Sequence, residues 1–371
     1  MLARFEREQG LSSRSVTLRP DRFGFAADEV LFTSGIAPWR EECRRIALLQ
    51  RALRHFDVIH FNFGQTILQS QTVPRLDLSR RPWALRHNGL ALFRQLSWMT
   101  DLSLLHAANK VIVMTYQGDD ARQGDYCRSH FEISHAHHVN YYNAESDEWK
   151  RRAIGRVARY ADRIYALNPD LLHVLPLGAR FLAYANVDPL DWRPSVKPLG
   201  DPAVVLHAPT DREAKGTRFL CAAVDELKRK GLRLELALVE DLPHDQVRPA
   251  YERADIVVDQ LLIGWYGGFA VEAMCLGKPV VGYIRKADLR PLPPDFVHDL
   301  PIVGATPATI KDVLSDLLTS RRGDLPELGR RARQFAERWH DPRQIVGETA
   351  RDYAGLVAAK RERRRYSAGS V

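Results

Sequence analysis

The segment DIVVDQLLIGWYGGFAVEAMCLGKPVVGYI, residues 255–284, decides the fold. DIVVDQ is a short apolar run of strand type, GGFAVEAMCLG has the length of a helix closed by glycine, and PVVGYI is again a buried strand. Two such strands joined by a helix pair in parallel through a right-handed crossover. Upstream, AVVLHA (203–208), TRFLCAAVDELKRKG (217–231), LRLELALV (232–239) and HDQVRPAYERA (244–254) continue the alternation of strand and helix. Helices near 308–319 and 324–339 follow. The pattern predicts one doubly wound α/β domain over residues 203–340.

Residues 1–190 carry the same alternation less regularly. SVTLR, DVIHFNFG, NKVIVMTYQG and FLAYANV have strand character, and REECRRIALLQRALRHF and DEWKRRAIGRVARYADRI have helical spacing. Between the halves, DPLDWRPSVKPLGDP is rich in proline and without period, so residues 191–202 read as a linker. RQIVGETARDYAGLVAA predicts a last helix, 341–358, that packs back toward the N-terminal domain, and 359–371 is a basic tail. Parallel sheets bind ligands outside the carboxyl ends of their strands. The chemistry is therefore expected in a cleft between the domains, after VLHA, VVDQ and MTYQG.

Composition narrows the function. The chain has 371 residues with 45% hydrophobic and 27% charged content, enough for two ordinary domains and unlike a disordered chain. No apolar run reaches membrane-spanning length, and the charged start MLARFEREQG lacks the apolar stretch of a signal peptide. Cys43, Cys127, Cys221 and Cys275 form no CxxC pair, which suits a reduced, cytoplasmic protein. The net charge of +8 favours anionic partners, and much of it lies in AKRERRRYSAGSV. That run reads either as a solvated tail or as a patch meeting the anionic inner face of a membrane, where the protein would be peripheral. Charge alone raises nucleic-acid binding, but no aromatic-basic stripe or known motif supports it.

Gly267 and Gly268 open a helix directly after a strand and loop, and Glu272 follows one turn in. A helix start offers unpaired N–H groups and a positive dipole end, and glycines let a phosphate approach the backbone. A carboxylate slightly further in can hold ribose hydroxyls; the plain alternative is a tight turn with a surface glutamate. LHAPTDREAKGTRFL (206–220) is a second strand, loop and helix, with Thr210, Arg212 and Lys215 at its mouth. Cations there can neutralise a departing diphosphate; the plain alternative is an exposed charged loop.

The pair KGT…L and GWYGGFAVEAMCLGKPVVGY resembles the donor-binding half of the retaining, nucleotide-sugar-dependent glycosyltransferases of family 4. DVIHFNFG, ADRIYALNPDL and WHDPRQIVGETARDYAGL resemble the same family at comparable places. The resemblance implies the GT-B fold: α/β, two Rossmann-like doubly wound domains facing a cleft. It implies an enzyme that moves a sugar from a nucleoside diphosphate to a carbohydrate or lipid-linked acceptor, with retention and without a metal. Surface-polysaccharide or glycolipid synthesis is the pathway class expected, and no cofactor is implied beyond the nucleoside-diphosphate sugar, which is a substrate. Glu272 falls on the second glutamate of the family's E-x7-E motif, which binds the donor ribose, and Lys215 on the lysine that contacts the diphosphate. Arg212 is a looser match to the family arginine. Gly267, Gly268, Tyr266, Gln260 and Thr210 complete the expected donor side.

Three departures stand out. The first glutamate of the motif would be residue 264, which is Gly264; Asp259, Gln260 or Tyr266 would then contact the sugar. The histidine that often ends the family's strand facing the donor sugar is Gln117, with Asp119, Asp120 and Arg122 just beyond, a set that also reads as a helix N-cap with a charged first turn. Gln117 and Asp119 join Arg212 and Lys215 as catalytic candidates. The chain opens on a helix where the family opens on a strand and a glycine-rich loop. The N-terminal domain is thus expected to lack its first strand, with a short or split sheet and residues 2–9 helical, as from a late start. These departures also motivate an alternative: a non-catalytic nucleotide-sugar-binding or scaffold protein of the same fold. Cys127, His130, His135, His137 and His138 fit no standard zinc spacing and are read as structural.

Overall fold

A computed structural model describes residues 1–20, 26–68, 84–194, 198–240 and 244–368. In the N-terminal half, β1 (Val16–Thr17) and β2 (Glu29–Val30) form a separate parallel pair. β3 (Val58–Asn62), β4 (Val111–Tyr116), β5 (Arg163–Ala166) and β6 (Arg180–Phe181) make a parallel sheet in that order. The C-terminal half holds β7 (Ala203–His207), β8 (Leu234–Leu238), β9 (Ile256–Val258), β10 (Val280–Gly282) and β11 (Val303–Gly304). Their order is β11-β10-β9-β7-β8, all parallel. From β7 the chain winds first to β8 on one side and then to β9 on the other. The point of reversal lies between β7 and β9, and a doubly wound sheet opens its ligand crevice there.

The split N-terminal sheet was expected from the sequence, as was the helix Leu2–Glu8 at its start. All six residues of β4 are buried, as befits a parallel strand covered on both faces. Ile112, Met114 and Tyr116 pack with the helices Thr100–Ala107 and Ala144–Tyr160 on one face. Val111 and Val113 face the other way, with Tyr165 and Leu182, onto Ile345 and Tyr353 of the helix Pro342–Ala368. That last helix does cross back onto the N-terminal sheet: Tyr165 donates to Asp352 at 2.6 Å, and Tyr353 donates to Glu6 of the first helix at 3.2 Å. It also runs on through the stretch read as a tail, to Ala368. Lys360 is anchored on the Lys110 carbonyl at 2.6 Å and on Asp162 at 2.8 Å, and residues 361–366 are exposed.

FLAYANV is not the strand its pattern suggests. Pairing stops at Phe181, with one further bond from the Leu182 amide to Ala166. Beyond that, the chain bonds to the C-terminal half: His340 meets the Tyr184 carbonyl and Asn186 donates to the Gly268 carbonyl. The alternating apolar residues pack across the join between halves instead of along a sheet edge. No helix among the described residues is long and apolar enough to cross a membrane.

Candidate functional site

The site is built on the two loops that leave β7 and β9. After β7, Asp211 caps the short helix Arg212–Lys215 by accepting from the amides of Glu213 (2.9 Å) and Ala214 (3.0 Å). Gly216 ends it at φ +77°, where a side chain would press Leu261 and Leu262 at 3.2–3.4 Å. The Leu261 amide donates to the Lys215 carbonyl, so the two loops hold each other. His207, at the end of β7, is fully buried between the Val258 carbonyl and Thr217, and burial pushes its imidazole down to about 4. It is a neutral support beneath the loop.

Lys215 reaches across the reversal point to Asp259, Nζ to Oδ1 3.2 Å, and the other Asp259 oxygen accepts from the Gly267 amide at 2.6 Å. Asp259 is only 2% exposed and Lys215 14%. The glycine-headed helix Gly268–Cys275 therefore starts against an anion, as its open N–H groups require, and that anion is the chain's own carboxylate. Gly267 has no unusual backbone angle, and a Cβ there would sit 3.5 Å from the lysine nitrogen, at ordinary contact distance and facing the cradle.

Glu272 lies buried on the second turn of that helix. Its carboxylate accepts from the Tyr251 hydroxyl and, at 3.2 Å, from the Asn186 amide. The same amide donates to the Gly268 carbonyl, while the buried Asn186 oxygen has no hydrogen-bond partner among the described residues. A buried orphan acceptor beside a carboxylate is a place for a hydroxyl donor.

Opposite, at the carboxyl end of β4, Asp120 accepts from the amides of Gln117 and Gly118 and pins the turn. Gln117 is fixed through its backbone, its carbonyl accepting from Asn168. Asp119 projects outward, 49% exposed. Tyr142, Tyr141 (3.2 Å), Arg122 (3.3 Å) and His135 (3.4 Å) converge on it. The protein packed around it works against its ionisation despite that exposure, but His135, Arg122 and Tyr142 outweigh this and hold the carboxyl well below the usual range. Arg122 is itself forked onto Asp170 at 2.6 and 3.2 Å. The two sides meet where the His135 amide donates to the Leu262 carbonyl at 3.2 Å, and burial pushes the Tyr184 phenol up. Tyr184 donates to Asn168 at 2.8 Å. Burial, with Asp119 beside it, pushes the Tyr141 phenol up as well.

Lys215, Gly267, Gly268 and Glu272 are thus brought together at the head of one helix, and Gln117 and Asp119 lie on the N-terminal half, just beyond the carboxyl end of β4. Three expected residues go elsewhere, while Thr210 stays on the loop that leaves β7. Arg212 is exposed and forks onto Glu240 beyond β8, 2.7 Å from Nε, not onto the cradle. Tyr266 is 1% exposed, stacked on Trp265, with its hydroxyl 2.9 Å from His340; it is core. Gln260 is buried and donates to the Trp265 carbonyl, shaping the loop. Thr210 lies exposed between β7 and the short helix. Of the three stand-ins considered for the missing glutamate, only Asp259 reaches the cradle. Asn186, Tyr251 and Arg285 were missed; Asn186 comes from the other half of the chain, 86 residues before Glu272, and Tyr251 and Arg285 flank the glycine loop without a local signature.

Gly264 adopts φ +88°, and a Cβ there would lie 2.7–2.8 Å from the guanidinium of Arg285. His130 stacks on Tyr126 and His137 meets the Phe131 carbonyl nearby, while His138 meets Arg218 of the C-terminal half. Among the described residues no three His, Cys, Asp or Glu side chains are grouped to hold a metal ion.

No family model and no curated protein sequence matches the chain. Solved structures do. Sucrose-phosphate synthase from Thermosynechococcus elongatus superposes with a TM-score of 0.62 at 15% identity, over 96% of this chain and 92% of that one. HepE of Anabaena, in complex with UDP, gives 0.50 at 15% identity over 84% and 82%. A glycosyltransferase from Rickettsia africae gives 0.51 at 11% identity over 89% and 85%. At such identities the likeness is one of fold, and the fold they share with this chain is GT-B, two Rossmann-like domains facing each other.

Proposed function

We infer that this chain is a glycosyltransferase that moves a sugar from a nucleoside diphosphate to a hydroxyl acceptor. The observation that carries the reading is the pairing of Glu272 with the orphaned Asn186 oxygen at the head of a glycine-opened helix, at the reversal point of the sheet. Two ribose hydroxyls would satisfy that pair. The diphosphate would then lie over Gly267 and Lys215, taking the N–H and the ammonium that Asp259 holds. As the bond from the sugar to the diphosphate breaks, its electron pair goes to the leaving oxygen, where Lys215 and the helix end stabilise the charge. The acceptor hydroxyl bonds to the same carbon, and its proton passes to the departing phosphate. Asp119, held strongly ionised, is a poor proton acceptor but a good hydrogen-bond acceptor, and is assigned to orient the incoming hydroxyl.

Retention, metal independence, a surface-polysaccharide or glycolipid acceptor and a peripheral membrane location are carried over from the sequence resemblance. The exposed cations of 361–366 supply a surface for anionic lipid. A non-catalytic nucleotide-sugar-binding protein is the second reading, favoured by one observation: the ammonium of Lys215 is already neutralised by Asp259. A thermal-shift screen of nucleoside diphosphates, with UDP first because the Anabaena structure holds it, tests binding. Release of free sugar from the matching sugar nucleotide then separates the two readings, since only a working site hydrolyses it.

A further inference from the structure

Residue 264 is where an acidic side chain would face the donor sugar, and its place is already occupied. The Arg285 guanidinium fills the space a Cβ at 264 would need. It is 9% exposed, and every direction around it is engaged. One nitrogen donates to Asp288 at 2.7 Å; the other donates to the Ile133 carbonyl at 3.0 Å and lies 3.4 Å from that of Ile263. The plane stacks 3.6 Å from the Phe131 ring centre, and the Arg285 amide donates to the Gly264 carbonyl at 2.9 Å. Phe131 and Ile133 belong to the N-terminal half; Ile263 and Gly264 belong to the donor loop. Two residues beyond Ile133, the His135 amide donates to the Leu262 carbonyl, and the His135 ring meets Asp119 and Tyr142.

Building on the glycosyltransferase reading, we propose that Arg285 is a positioning residue that clamps the donor loop 261–264 to the segment 131–135 and so sets the distance between the donor cradle and Asp119. Gly264 is the counterpart of that clamp. Its positive φ and missing Cβ admit the guanidinium, so a glutamate at this position is exchanged for a fixed closure between the halves. Arg285 is nearly sealed from solvent, and it acts through Ile133 and His135 on one side and through Ile263 on the other. A planar fork is required, because one group must serve two carbonyls, a carboxylate and an aromatic face together.

The test uses Arg285→Lys in the full chain, which keeps a cation beside Asp288 and loses the fork; Arg285→Ala is the second variant. Hydrogen exchange is followed at the amides of 131–136 and 261–265. UDP affinity is measured by calorimetry, and kcat and KM are measured for release of glucose from UDP-glucose. The lysine variant is expected to exchange about tenfold faster in both segments, with UDP affinity and donor KM within about threefold and kcat lowered about tenfold or more. A lesion of stability alone would lower the melting temperature without separating kcat from KM. Unchanged exchange at His135, or UDP affinity falling in step with kcat, overturns the proposal. Should the wild-type protein bind no nucleoside diphosphate, the sugar-transfer reading fails, while the exchange measurement alone still decides whether Arg285 holds the two segments together.

Discussion

Asp259→Asn should weaken the protein and tighten its hold on UDP. The carboxylate stands 3.2 Å from the Lys215 ammonium and 2.6 Å from the Gly267 amide, nearly sealed from solvent. At that separation, and with an effective dielectric constant of about 20, the attraction is about 5 kcal/mol before desolvation is subtracted. Asparagine keeps the shape and an acceptor for the Gly267 amide but leaves Lys215 without its counter-charge, which should cost about 3 kcal/mol of folding stability. A diphosphate entering the wild-type cradle must displace the carboxylate from both donors; in the variant the ammonium is already open and only the amide remains to be taken from the weaker, neutral asparagine oxygen. A charged hydrogen bond contributes about 1.5–3 kcal/mol net, so affinity for UDP should rise about 10- to 100-fold. Calorimetry on the folded variant measures this, and a melting curve without ligand confirms the opposite sign for stability. UDP binding that is weaker than wild type, in a variant that is still folded, would refute the exchange of anions and make Asp259 a bracket for Lys215 instead.

Glu272→Gln retains an acceptor for Tyr251 but loses charge at the ribose site; affinity for both uridine and UDP should fall about 10-fold or more, and equal affinities would remove the assignment. Lys215→Ala should weaken UDP far more than uridine, whereas Arg212→Ala, whose guanidinium is exposed on Glu240, should leave both unchanged; calorimetry with the two ligands separates these outcomes. His60, His207 and His340 are pushed by burial to about 4, below the ordinary value of 6.5, so the unfolded chain binds protons that the folded one refuses. Their contribution to stability is whole above about pH 6.5 and declines as pH falls toward about 4. Urea midpoints at about pH 7 and about pH 5 should differ in that direction, and a flat profile would mean these rings are protonated in the fold.

The C-terminal half was legible because its elements are local. Each strand is a short apolar run, each helix has a clear period, and the glycines and Lys215 sit at the joints between them. The reversal of strand order then brings Lys215 and Gly267 together without further information. Arg212 misled because it lies one helical turn from Lys215, while its partner in space, Glu240, lies just beyond the adjacent strand β8. Tyr266 sits inside the motif, yet the loop turns it inward onto His340, a residue 74 positions away. Asn186 and Arg285 lie outside any motif; their roles arise only when the two halves come together. Gly264 looked like a loss because the sequence cannot show that Arg285 stands where its side chain would be.

One face of the N-terminal sheet is roofed by helices drawn from opposite ends of the chain, Leu2–Glu8 and Pro342–Ala368. During synthesis, β3 to β6 emerge long before that second helix exists. Val111, Val113, Tyr165 and Leu182 must then wait, uncovered, while the whole C-terminal half is made. The half that appears first on the ribosome is therefore the half that finishes last. A nascent chain paused anywhere between β6 and residue 342 should present this greasy face to chaperones, and the two halves should melt as one unit once the roof is in place.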